Sequence, residues 1–129
     1  MKYNYTILYV QDVTKSIDFY ERALGFKRKF IAPDNSYGEL ITGDTILSFA
    51  SVELAKSNLK GGFIESSNSN KPFAIEIGFA TDNVERVYDK AVNEGAIPEA
   101  PAKRKPQGQT VAYVRDPDGF LIEICTPMD

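Results

Sequence analysis

Residues 3 to 10 alternate between two faces. Tyr3, Tyr5, Ile7 and Tyr9 fall on one, Thr6, Leu8 and Val10 on the other, which predicts a strand. From Val13 the period changes: Val13, Ile17, Tyr20 and Leu24 recur at helical spacing. Asp12 precedes them as an N-cap, its carboxylate accepting from free backbone N–H groups, and Gly25 fits the left-handed position after the last turn. A strand over 26–31 follows and Pro33-Asp34-Asn35-Ser36 interrupts it. A hairpin is then predicted from 37–41 through Gly43-Asp44 to 45–51. Residues 52–59 suit a short helix, while Gly61-Gly62 and the polar run 66–70 read as a linker on the surface.

The pattern then begins again. Over 73–79, Ile75, Ile77 and Phe79 share one strand face and Ala74, Glu76 and Gly78 the other. Asp82 is placed to cap a helix, with Glu85 completing a capping box, and Val84, Val87, Tyr88 and Ala91 form its apolar stripe before Gly95. Residues 97–106, rich in Pro, Lys and Arg, carry little pattern. The final stretch carries the most: two β-branched and aromatic runs, 111–115 and 120–125, flank Asp116-Pro117-Asp118-Gly119. Proline presets φ at the second turn position and glycine accepts the positive φ that closes the turn, so a hairpin is predicted.

Strand, capped helix ending in glycine, then strands: the order occurs twice, about 70 residues apart, with Asp12 and Gly25 matching Asp82 and Gly95. Each copy alone is small for an independent core, so the two are expected to pack together. The predicted fold is α+β: two tandem βαβββ modules forming a curved mixed sheet around a cleft, with helices on the outer faces. The whole chain, 1–129, reads as a single domain, with module 1 over about 1–60, a linker over about 61–71 and module 2 over about 72–129.

Composition narrows the chemistry. With 15 Lys+Arg against 18 Asp+Glu the net charge is −3, which argues against nucleic acid or an anionic membrane as the main partner. No apolar run approaches a membrane span, and Met1-Lys2-Tyr3-Asn4-Tyr5 lacks the apolar core of a signal peptide, so a cytoplasmic protein is expected. The lone Cys125 forms no internal disulfide. Histidine is absent, which removes the usual neutral-pH base, the commonest transition-metal ligand and any Ser-His-Asp or Cys-His mechanism.

The segments Val10-Gln11-Asp12-Val13, Ser16-Ile17-Asp18-Phe19-Tyr20, Leu24-Gly25-Phe26 and Asp116 through Glu123 resemble the vicinal oxygen chelate superfamily, over nearly the whole chain. That superfamily includes glyoxalase I, extradiol dioxygenases, methylmalonyl-CoA epimerase and bleomycin-resistance proteins. The resemblance implies metal-ligand positions at Tyr5, Ser48, Glu76 and Glu123. Family metalloenzymes usually carry histidine at the first and third of these, and only the final glutamate is retained here. Two carboxylates and a phenol suit Zn²⁺, Ni²⁺ or Fe²⁺ poorly. The expectation is therefore no cofactor and no metal ligands, with a weakly held Mg²⁺, Ca²⁺ or Mn²⁺ as the alternative.

Strand alternation assembles the candidate site. Glu76 and Glu123 interrupt apolar strands at matching positions of the repeat, and a carboxylate there needs a partner, a ligand or a proton. They are the candidate catalytic pair. Tyr5, Tyr9, Tyr37, Ser48 and Tyr113 are candidate substrate contacts, suited to a flat or cationic organic molecule, although strand tyrosines also serve packing and interfaces. Arg104, beside Lys103 and Lys105, is a candidate clamp for an anionic group or simply part of a solvated loop. Three readings stay open: metal-independent small-molecule binding, the favoured one; a glyoxalase- or epimerase-like enzyme using Glu123 and Glu76; and a non-catalytic interaction scaffold. The expected partners are a small ligand and a second copy in a homodimer, which the resemblance also implies and which would cover the edges of so small a sheet.

Overall fold

The computed structural model describes residues 1–128. The chain divides into two compact units, the first Met1–Glu65 and the second from Ser66 onward. The first contains β1 (Tyr5–Val10), α1 (Val13–Leu24), β2 (Lys27–Ile31), β3 (Tyr37–Ile41), β4 (Ile46–Ser51) and α2 (Val52–Asn58). The second contains β5 (Glu76–Ala80), α3 (Val84–Asn93), β6 (Ile97–Arg104), β7 (Thr110–Arg115) and β8 (Leu121–Cys125). Each unit is built on a four-stranded mixed sheet, ordered β1-β4-β3-β2 in the first and β5-β8-β7-β6 in the second. In both, the first strand runs parallel to the last and the other pairs are antiparallel. The two βαβββ modules predicted from the repeat are present. Among the described residues no helix is long and apolar enough to cross a membrane.

In the first unit the helix forms as its ends dictate. Asp12 is extended, with φ −139° and ψ 103°, and its carboxylate accepts from Lys15 N at 3.1 Å. Gly25, at φ 74°, ends the helix by donating to Tyr20 O and Glu21 O. The inner stripe of α1 buries Ile17 and Tyr20 against the sheet face that carries Leu40, Leu47 and Phe49. Tyr20 and Phe49 meet at 5.2 Å between ring centroids. Complete burial of one such side chain is worth about 1.5–3 kcal/mol, so this layer dominates the stability of the unit.

The second unit repeats the design with α3 over Ala112, Val114, Ile122 and Ile124. Its cap differs from the sequence expectation. Asn83, not Asp82, is the N-cap, accepting from Arg86 N at 3.2 Å, while Thr81 Oγ1 accepts from Asn83 N. The helix starts at Val84, and a cap must sit one residue before the start, so Asp82 falls outside the motif. The unpatterned stretch 97–106 also corrects the expectation, since most of it is strand β6. Pro98 and Pro101 lack ladder donors, but β6 is the outer strand of its sheet, and the register shifts at two points along it. The first strand of the module is shorter than its pattern, beginning at Glu76 rather than Phe73. Likewise β1 begins at Tyr5 rather than Tyr3.

Candidate functional site

Side chains opposite the helices lie on the open face of each sheet. In the second unit the β7–β8 turn sets that face. Gly119 N donates to Asp116 O at 2.9 Å with Gly119 at φ 95°. The buried Asp116 carboxylate accepts from Asp118 N and Phe120 N, both at 2.9 Å. Arg115, also buried, donates to Gly119 O, to Asn70 O at 2.7 Å and to Ser67 O at 3.0 Å. Asn68 Nδ2 donates to Asp116 O at 2.9 Å. Part of the expected linker is thus bound to the turn, and the turn in turn fixes the β7–β8 register.

That register sets Tyr113 opposite Glu123, and the neighbouring ladder sets Gly78 opposite Glu123 on its other side. The Tyr113 hydroxyl donates to Glu123 Oε2 at 2.9 Å. Glu76, two residues before Gly78, shares the face as the diagonal neighbour of Glu123. Partial burial of its carboxyl and then the adjacent Glu123 carboxylate push the Glu76 pKa above the usual carboxylate value. Its hydrogen bond to Glu123, then burial, then the charges of Glu123 and Glu76 push Tyr113 up to about 12. Burial, and after it Glu123, raises the Cys125 thiol, whose sulfur lies 3.6 Å from Phe79 O. Among the described residues neither Glu76 nor Glu123 is paired with a basic side chain.

The first unit places Tyr5, Tyr9, Tyr37, Glu39 and Ser48 on its open face. The Tyr37 hydroxyl donates to Glu39 Oε2 at 2.7 Å and lies 3.0 Å from the fully buried Ser48 Oγ. Burial is the main cause that raises the Tyr37 pKa; the Ser48 bond opposes it and Glu39 adds to it. Unlike the acidic pair of the second unit, Glu39 has a cation, Lys29 Nζ at 3.7 Å. Tyr9 packs against Phe63, with centroids 4.9 Å apart, and Tyr5 is 48% exposed. Arg104 is not brought to the acidic pair. It ends β6 opposite Thr110, whose side chain alternates to the other face from Tyr113.

The donor set does not fit the metal that the resemblance implies. Tyr5 and Ser48 offer a phenol and a buried hydroxyl already engaged with Tyr37, and imidazole is lacking throughout. Among the described residues no group of three or more His, Cys, Asp or Glu side chains is placed to hold an ion.

Fold, repeat and motif together define the class: the chain belongs to the glyoxalase/bleomycin resistance protein/dioxygenase superfamily, whose sequence model matches residues 2–124. It is 30% identical over 118 residues, 91% of each chain, to the uncharacterized protein YraH of Bacillus subtilis. It is 32% identical over 127 residues to a lactoylglutathione lyase of Neisseria meningitidis, covering 95% of this chain and 88% of that one. Among solved structures, a glyoxalase-related enzyme from Fulvimarina pelagi superposes with a TM-score of 0.83 at 21% identity, over 98% of this chain and 88% of the other, a likeness of fold.

Proposed function

We propose that this protein binds a small organic molecule carrying a positive charge, aromatic or conjugated in character, without the help of a metal. The observation that carries this reading is the side-by-side placement of Glu76 and Glu123, with no basic side chain among the described residues paired to either. Two adjacent carboxylates repel, and a cationic group set between them removes the repulsion. The Tyr113 hydroxyl orients Glu123 through one oxygen, and the Tyr113 ring offers a face to a flat cation.

A second reading has support of its own. The relative named lactoylglutathione lyase and the raised Glu76 pKa together favour an acid–base enzyme, with the Glu76 carboxyl exchanging a proton with substrate. Thermal melting and tyrosine fluorescence, measured in chelator with a panel of aromatic amines and amidines and, in chelator-free buffer, with divalent ions, separate the two. Binding predicts stabilisation that grows with ligand concentration and is lost in Glu123→Gln. Stabilisation by divalent ions alone, with lactoylglutathione lyase activity that disappears in Glu76→Gln, would make the enzyme the correct reading.

A further inference from the structure

One residue at the acidic pair has an identity that neither backbone nor packing requires. Gly78 lies in the middle of β5, where glycine weakens a strand. Its φ is outside the left-handed region that favours glycine. It is not crowded either: an added Cβ would meet only Glu123 Oε1 within 4 Å, at an ordinary 3.6 Å. Gly38 in β3 is the contrast, because there a Cβ would lie 2.5 Å from Ile17 Cδ1 and 3.2 Å from Phe30 O. Packing against α1 explains Gly38. What Gly78 preserves is the open approach to Glu123 Oε1.

The two oxygens of Glu123 are differently placed. Oε2 accepts from the Tyr113 hydroxyl at 2.9 Å, while Oε1 faces the gap over Gly78. Glu76 borders that gap two residues earlier on β5, and Ala80 keeps its other side low. A carboxylate oxygen at the base of a gap bonds a cation through N–H donors. A quaternary ammonium has none and is held instead by several aromatic faces, whereas Tyr113 is the lone aromatic side chain that the strands put on this face.

We infer that Gly78 is a specificity-determining residue: its missing side chain admits an N–H-bearing cation (primary ammonium, amidinium or guanidinium) onto Glu123 Oε1 and Glu76. The inference rests on the binding reading above and narrows it to one class of cation. Benzamidine and phenyltrimethylammonium, a flat N–H cation and its donor-free counterpart, serve as probes for calorimetric titration of wild type, Gly78→Ala, Gly78→Leu and Glu123→Gln. Wild type is expected to prefer benzamidine by about tenfold or more, with Gly78→Leu losing at least that factor and Gly78→Ala less than about threefold. Unliganded Gly78→Leu should melt no lower than wild type, since leucine suits an exposed strand position better than glycine, so lost binding cannot be ascribed to misfolding. Unchanged affinity in Gly78→Leu, or equal affinity for both probes, overturns the inference and leaves the binding site standing. Failure of wild type to bind either probe overturns both.

Discussion

Glu76 stands beside a second carboxylate because the β5–β8 ladder fixes its place, and its protonation therefore reports on folding. Its pKa is raised in the folded chain, by burial and by Glu123, above the ordinary carboxylate value that the unfolded chain keeps. The folded state thus holds that proton more tightly. The stability so contributed is complete below the unfolded value and is lost as pH rises through the folded one. Glu76→Gln should therefore melt higher than wild type at neutral pH, with the gap closing as pH falls below the carboxylate range. A gap of constant size across that range would mean that neither burial nor Glu123 raises the Glu76 pKa in the folded chain. Both carboxylates were legible in the sequence because each breaks an apolar strand. Lys29, the cation that compensates Glu39, was not, because it lies at the register irregularity between Arg28 and Phe30, where alternation stops predicting a side.

At the scale of elements, local chemistry predicted α1 to the residue and misplaced the cap of α3 by one. Asp82 and Asn83 are adjacent residues of good capping type, so only the backbone path chooses between them. Asn83→Ala should cost about 1 kcal/mol in urea unfolding and Asp82→Ala less than about 0.5 kcal/mol. Equal costs would show that the two share the cap. The β7–β8 turn carries a sharper demand. A Cβ at Gly119 would lie 2.7 Å from Ser67 C and 2.9 Å from Ser67 N, both backbone atoms, at a φ of 95°. Gly119→Ala should cost about 3 kcal/mol, because backbone strain and steric conflict act together. A loss below about 1 kcal/mol would show that the segment bound by Arg115 moves aside freely. Strand β6 escaped prediction because its prolines break the ladder pattern, and what makes them tolerable is an edge position that composition does not encode.

For the molecule as a whole, the doubled order of strand, helix and strands determined the α+β class and the two βαβββ modules. Periodicity and turn chemistry are local properties, written wherever 10 or so residues share a face. The final hairpin motif and the first helix carried the superfamily, and the absence of histidine bounded the chemistry before any coordinate did. The choice of face for Tyr113, Glu76 and Glu123 followed from the same alternation. Tertiary structure decided what those residues do to one another. Pairing across strands made Tyr113 a donor to Glu123, set Gly78 opposite that glutamate and placed Arg104 on the other face. It also tied Ser67 and Asn70 to the turn through Arg115, a contact spanning more than 40 residues of chain. Such pairings depend on register and on distant backbone, and a residue's own neighbours in sequence do not specify them.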